Sequence, residues 1–138
     1  MKEEQVAQHP VEPGAARILV VDDNLDAGET LIQLLSANGF AVRHVPDGNG
    51  ALLAVNDFSP DLAILDIGLP DMDGYSLAGR LRALPDNSRL PLVALSGYGE
   101  GSDVAHAREA GFDRHLTKPV RIAELIGVIN TLLARPAA

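Results

Sequence analysis

The 138-residue chain contains no cysteine, which excludes disulfide bonds and thiolate metal sites. It also lacks an apolar run of the length that a membrane-spanning helix requires. Residues 1–16 carry several charges and no apolar segment, unlike a secretory signal. From these absences we expect a protein of the cytoplasm.

Basic residues are also few, since 11 Lys and Arg stand against 19 Asp and Glu, for a formal net charge of −8. A chain this acidic is repelled by the phosphates of nucleic acids and by anionic lipid surfaces. We therefore expect neither a nucleic acid nor a membrane among its partners. Some of the negative charge could instead be concentrated at a cation site.

The length fits a single domain better than two. Residues 1–16, with Pro10, Pro13 and several charges, are expected to form a flexible N-terminal tail. Residues 135–138 are expected to form a short C-terminal tail. The predicted domain therefore comprises residues 17–134.

Short apolar runs alternate with helical patterns five times within this domain. Predicted strands are residues 18–21, 40–45, 62–65, 90–95 and 114–117. Predicted helices are a segment around 31–35 that ends near Asn38-Gly39, and residues 51–55, 75–84, 103–110 and 122–133. Strands without polar alternation are typical of a parallel sheet covered by helices on both faces, so the pattern predicts an α/β fold.

Polar residues stand where the predicted strands end. Asp22 and Asp23 follow the first strand, Asp66 the third, Ser96 the fourth and Lys118 the fifth. Ligands of open α/β sheets bind outside the carboxyl ends of the strands. Because the first and third strands are usually neighbours in such sheets, we expect the three carboxylates to converge there.

Converging carboxylates point to a cation. Two of them about 4 Å apart repel each other by roughly 4 kcal/mol at an effective dielectric constant near 20. A divalent cation relieves this repulsion, and all-oxygen ligation suits Mg²⁺. Lys118 can offset the charge of a phosphoryl group, while Ser96 supplies a hydroxyl and residues 96–99 supply backbone N–H donors, as phosphoryl transfer requires. Each aspartate alone could equally cap a helix or lie in solvent, an interpretation that weakens for three around one crevice.

Five motifs carry a resemblance to a known family. They are Val20-Val21-Asp22-Asp23-Asn24, Leu65-Asp66, Leu69-Pro70-Asp71-Met72-Asp73-Gly74, Leu95-Ser96-Gly97-Tyr98 and Leu116-Thr117-Lys118-Pro119. In this order they resemble the receiver domain of response regulators in two-component signalling, from about residue 17 to residue 133. The segment after the fourth strand is similar to receivers attached to hybrid histidine kinases. The resemblance implies a flavodoxin-like (βα)5 fold, a doubly wound parallel sheet with strand order 2-1-3-4-5.

The resemblance also implies a role for each residue of the site. Asp66 would accept a phosphoryl group from a phosphohistidine of a histidine kinase or a phosphotransfer protein. Asp23, Asp66 and the backbone carbonyl of Gly68 would bind Mg²⁺, with Asp22 acting mainly through water. The phosphoryl oxygens would be held by Ser96, Gly97 and Lys118, and the peptide bond between Lys118 and Pro119 would be cis.

In such a protein phosphorylation acts as a switch, so the chain would be a signalling domain that takes part in its own phosphoryl transfer and dephosphorylation, and not an enzyme. A downstream protein would bind the face formed by the fourth helix, fifth strand and last helix. Ser96 and His115 would form the switch pair, although the family more often has Thr and an aromatic residue there. Gly68 leaves the pocket without a side chain at the second position after Asp66, and Tyr98 is expected to cover part of it.

Two other functions remain open. A pseudo-receiver that only binds proteins would not need the repulsive carboxylate cluster. An unrelated flavodoxin-like enzyme or nucleotide binder would need a phosphate-binding loop where Asp22 and Asp23 stand. Outside the site, we expect Asp71 and Arg82 to be solvated and His44 to be an ordinary strand residue.

Overall fold

A computed structural model describes residues 14–97 and 104–134 of the chain. Within them five strands alternate with five helices: β1 Arg17–Val21, α1 Leu25–Ser36, β2 Ala41–Val45, α2 Gly48–Phe58, β3 Leu62–Asp66, α3 Gly74–Ala83, β4 Leu92–Ser96, α4 Val104–Ala110, β5 Arg114–Thr117 and α5 Ile122–Leu133. Every neighbouring pair of strands is parallel, in the order β2-β1-β3-β4-β5. The predicted α/β flavodoxin-like fold is therefore confirmed. None of the described helices is long and apolar enough to cross a membrane.

Each face of the sheet is buried under its own layer of helices. Successive strand residues point to opposite faces, so the apolar runs supply two cores. The first core joins one face to α2, α3 and α4, and its strand residues include Leu19, Val21, Ala63, Leu65, Leu92 and Ala94. The second joins the other face to α1 and α5, and includes Ile18, Val20, Leu62, Ile64, Val93 and Leu95. This double burial explains why the strands lack polar alternation.

Side-chain caps set helix boundaries that apolar spacing alone did not locate. Helix α1 begins at Leu25, well before the predicted segment, because the Asn24 side chain accepts a hydrogen bond from the backbone N–H of Ala27. Helix α2 spans residues 48–58, whereas only residues 51–55 were predicted. Its N-cap is Asp47, which accepts from the N–H of Gly50 at 2.7 Å. Residues 1–13, 98–103 and 135–138, including most of both predicted tails, lie outside the described residues.

The expectation that Asp71 is merely solvated was incomplete. Its side chain is exposed, but its two carboxylate oxygens accept hydrogen bonds from the backbone N–H groups of Gly48 and Asn49, at 2.9 and 3.0 Å. These bonds hold the pKa of Asp71 below its usual value of 3.8. The loop between β3 and α3 is thereby bound to the N-terminus of α2.

The prediction that Arg82 belongs to a solvated face was wrong. Its side chain is only 23% exposed, and its guanidinium donates to the backbone carbonyls of Asn87, Ser88 and Leu90. It also donates to the carbonyl of Gly111 at 2.7 Å and to the carboxylate of Asp113 at 3.2 Å. Arg82 therefore connects the end of α3 to the segment before β4 and to the turn before β5.

Replacing Arg82 with alanine should lower the free energy of unfolding by about 2–4 kcal/mol. Several carbonyls and one partly buried carboxylate would lose a charged donor at once. Urea titration at neutral pH measures the difference. Arg80→Ala is the matched control because Arg80 is exposed on the same helix, and it should change stability by less than about 0.5 kcal/mol. Equal effects of the two substitutions would contradict a structural role for the Arg82 contacts.

Candidate functional site

The three predicted acidic residues lie together at the carboxyl edge of the sheet. Asp22 directly follows β1 and Asp66 ends β3, and these strands are paired with Val21 opposite Leu65. The carboxylates of Asp22, Asp23 and Asp66 each offer an oxygen within 4.8 Å of the others. The parallel pairing of β1 with β3 thus produces the convergence that the sequence pattern indicated.

The two carboxylates nearest the core are bound by backbone and by one cation. Asp22 is 1% exposed and Asp66 is 4% exposed, whereas Asp23 is exposed. The first oxygen of Asp22 accepts from the N–H of Asn24 at 2.9 Å, and that of Asp66 from the N–H of Gly68 at 3.0 Å. The second oxygen of each faces the Lys118 ammonium. Both buried carboxylates are therefore hydrogen-bonded, as buried charges must be.

Lys118 connects the fifth strand to the acidic cluster. Its Nζ donates to Oδ2 of Asp66 at 2.9 Å and to Oδ2 of Asp22 at 3.4 Å. Its backbone N–H donates to the carbonyl of Ser96 at 2.8 Å, and its peptide bond to Pro119 is cis. One ammonium therefore lies between two buried carboxylates, next to the end of β4.

The protonation equilibria reflect this shared charge. Burial raises the pKa of Asp22 above 3.8, and the Asp66 charge acts in the same direction, against the Asn24 hydrogen bond and the Lys118 charge. Burial by itself would lower the pKa of Lys118, but hydrogen bonds and charges of Asp66 and Asp22 outweigh it and raise that pKa above 10.5. Lys118 is thus an ammonium at neutral pH. Any added positive charge nearby would stabilise the ionised form of Asp22.

The donor atoms of the cluster match a hard cation. They are carboxylate oxygens, and the exposed Asp23 leaves the cluster open to solvent on one side. Oxygen donors with room for retained water are what Mg²⁺ prefers. The loop that carries Gly68 is held close to the cluster, because Gly74 N–H donates to the carbonyl of Ile67 at 2.8 Å. A Cβ atom at Gly74 would lie 2.7 Å from the Asp66 carbonyl oxygen, so this approach requires glycine.

His44 contributes to the site in a way that its position in a strand did not reveal. Its Nε2 lies 2.7 Å from the backbone carbonyl oxygen of Asp22, and because a carbonyl only accepts, Nε2 donates. The ring packs where Gly28 of α1 has no side chain, since a Cβ there would lie 2.4 Å from the ring. A glycine inside a helix was the one sequence signal of this contact.

Ser96 and His115 are directly bonded. The Ser96 hydroxyl oxygen is 2.7 Å from Nε2 of His115, and Ser96 is fully buried. Gly97 follows Ser96 at the last described position before residue 104, and Tyr98, which was expected to cover part of the pocket, lies outside the described residues. The proposed switch pair is therefore in contact in this structure.

An apolar groove of about 470 Å³ opens beside the acidic cluster. It lies between α1 and the start of α5, and Asp22 and Lys118 line it next to the cluster. Its other lining residues are Ala27, Thr30, Leu31, Leu34, Leu95, Pro119, Val120 and Ile122. Leu34 is 39% exposed there, so the groove presents apolar surface immediately next to the charged site.

Comparison with known proteins assigns the chain to a family. A family model for the response regulator receiver domain matches residues 18–130. An uncharacterized 14.6 kDa protein in the sodA1 3′ region of Leptolyngbya boryana is 39% identical over 82% of this chain and 86% of its own length. The transcriptional regulatory protein PrrA of Mycobacterium tuberculosis is 40% identical over 86% of this chain, which spans 50% of PrrA.

A solved structure gives the same result. The receiver domain of the sensor histidine kinase PA1611 from Pseudomonas aeruginosa, with a magnesium ion coordinated in its active site cleft, superposes with a TM-score of 0.80. It is 29% identical, and the match covers 88% of this chain and 99% of that one. With the strand order, the acidic cluster and the family match in agreement, the chain belongs to the response regulator receiver domains of two-component systems.

Proposed function

We propose that the chain is a cytoplasmic phosphorylation switch in which Asp66 accepts a phosphoryl group from a phosphohistidine. The observation that carries this proposal is the position of Lys118, whose ammonium bonds to Asp66 within a cluster of three carboxylates. A structural ion pair needs two charges. Three carboxylates around one lysine leave the site short of positive charge, which suits a site that holds a cation and then a phosphoryl group.

In the proposed transfer, a carboxylate oxygen of Asp66 attacks phosphorus while the bond between phosphorus and the donor imidazole nitrogen breaks. The electron pair of that bond returns to the imidazole. Lys118 is placed to balance the charge of the new acyl phosphate, because it already contacts Asp66 at 2.9 Å. Ser96 and the backbone of Gly97 would supply further donors to the phosphoryl oxygens. The protein's task is positioning and charge stabilisation, as in other phosphoryl transfers.

Mg²⁺ fits the proposal as the cofactor. Asp23, Asp66 and the carbonyl of Gly68 would hold it, and Asp22 would act mainly through water. Bound there, the ion would neutralise the charge that develops on the phosphoryl oxygens. The exposure of Asp23, against the burial of Asp22, supports Asp23 as the direct ligand.

The proposed partners are a histidine kinase or a histidine phosphotransfer protein, and a downstream protein on the face of α4, β5 and α5. Support for the first comes from the groove, because a protein donor must cover the surface around Asp66. Support for the second comes from the contact between Ser96 at the site and His115 in β5, because it connects the site to one strand of that face.

With acetyl phosphate and magnesium, the protein should gain one phosphoryl group, and Asp66→Asn should gain none. Removal of magnesium with a chelator should prevent labelling of the wild type. Intact-mass spectrometry reads the result. Equal labelling of both proteins would place the phosphoacceptor elsewhere, and no labelling of either would favour a pseudo-receiver that only binds proteins.

Asp23→Ala should weaken magnesium binding about tenfold or more, since the lost attraction between carboxylate and cation exceeds the 1.4 kcal/mol that a tenfold change requires. Asp26→Ala removes the same charge three residues further on, at an exposed position in the first turn of α1, and is the matched control. A magnesium titration followed by NMR compares the two. Similar losses in both variants would show that the cation is bound by general charge and not by Asp23.

Leu34→Glu should slow phosphoryl transfer from a phosphorylated histidine-containing protein about tenfold, because a carboxylate would be placed in an apolar contact. Labelling by acetyl phosphate should be unchanged, since that small donor needs no groove. Leu53→Glu on α2, where Leu53 is 70% exposed on the opposite side of the sheet, is the control and should leave both reactions unchanged. A loss with acetyl phosphate as well would indicate damage to the site.

A further inference from the structure

The hydroxyl of Ser96 is directed away from the carboxylate that it is proposed to serve. In β4, Ser96 shares a face with Leu92 and Ala94, which pack in the core beneath α2, α3 and α4. Asp66 shares a face with Leu62 and Ile64, which pack beneath α1 and α5. The alternation of the strands therefore places the two side chains toward opposite layers of helices.

On that side the hydroxyl has a partner. His115 precedes Leu116, which packs beneath α1 and α5, so alternation directs His115 to the same layer as Ser96. The two atoms Oγ and Nε2 are 2.7 Å apart, and β4 and β5 are paired with Ala94 opposite His115. This contact follows from a histidine at position 115, because a phenylalanine there would offer no nitrogen.

The burial of Ser96 bears on which atom donates. The residue is 0% exposed, and a buried hydroxyl proton without an acceptor costs about 1–3 kcal/mol. Within the described part of the chain, Nε2 of His115 lies in hydrogen-bond reach of this hydroxyl. The Ser96 proton is satisfied when the hydroxyl donates to Nε2, an arrangement that places the ring proton of His115 on Nδ1.

We propose that His115 is a latch that holds the Ser96 hydroxyl in the resting state and competes for it with the phosphoryl group on Asp66. A serine hydroxyl has one proton, so it cannot donate to Nε2 and to a phosphoryl oxygen together. The inference rests on the proposed function, since it assumes that Ser96 binds the phosphoryl group. His115 acts as a positioning residue, and its effect on Asp66 passes through Ser96.

The latch has a consequence for both ends of the contact. Phosphorylation must first release Ser96 from His115, so part of the favourable interaction with the phosphoryl group is offset by the lost hydrogen bond. The release also leaves Nε2 of His115 without its donor on the side of the sheet that α4 covers. The acidic site and β5 are thus connected by the exchange of one hydrogen bond.

A double-mutant cycle on beryllofluoride binding, in saturating magnesium, tests the latch. Against wild type, His115→Phe should bind this phosphoryl analogue about fivefold more tightly, the size of one neutral hydrogen bond that no longer competes. In the Ser96→Ala background, the same substitution should have no effect. An equal gain in both backgrounds, or weaker binding by His115→Phe, would overturn the proposal.

Wild-type NMR gives a test that needs no substitution. The ¹⁵N signals of His115 should show Nδ1 protonated and Nε2 accepting in the resting protein, with the Nε2 signal shifting on saturation with beryllofluoride. A protonated Nε2 at rest, or a signal that does not move, would overturn the latch. Asp66→Asn separates this result from the proposed function: if wild type and Asp66→Asn bind beryllofluoride alike, the phosphoacceptor assignment fails and the latch fails with it.

Discussion

The acidic edge of the sheet depends on the interaction between Lys118 and two buried carboxylates. Carboxylates separated by 4 to 5 Å repel each other by about 3–4 kcal/mol at an effective dielectric constant of 20. A single ammonium between Asp22 and Asp66 offsets much of this repulsion, and the exposed Asp23 adds a third negative charge nearby. The buried carboxylates are therefore paired, while the site still has more carboxylates than ammonium groups, as a cation site needs, and these two requirements oppose each other.

Contacts outside the site hold the loops that surround the acidic cluster. Asp71 binds the loop after β3 to the start of α2, and Arg82 binds the end of α3 to the segments before β4 and β5. In both cases a charged side chain makes hydrogen bonds with backbone groups, and such bonds are stronger than those between neutral groups. The loop that carries Gly68 is thus attached to α2, and the segments that precede β4 and β5 are attached to α3.

Much of the fold and of the cluster could be predicted from the sequence, for a physical reason. Apolar runs that end abruptly in Asp22, Asp66 and Ser96 indicate buried strands and mark where each strand has its carboxyl end. Because the strands pair in parallel, these ends lie at one edge of the sheet. The resemblance to receivers added the strand order. What could not be predicted depends on contacts between residues far apart in sequence, such as Arg82 with the carbonyl of Gly111, because periodicity carries no information about them. The start of α2 was missed because Gly48 and Gly50 have low helix propensity, although Asp47 caps the helix there.

The packing of His44 against Gly28 has a consequence for how this protein can change over evolution. A glycine within a helix is usually free to become alanine, and the exchange raises helix stability by roughly 1 kcal/mol. Here the added methyl group would occupy the space of the imidazole that supports the Asp22 backbone. Positions 28 and 44 must therefore vary together, so a smaller residue at position 44 would have to appear before any side chain at position 28 became acceptable.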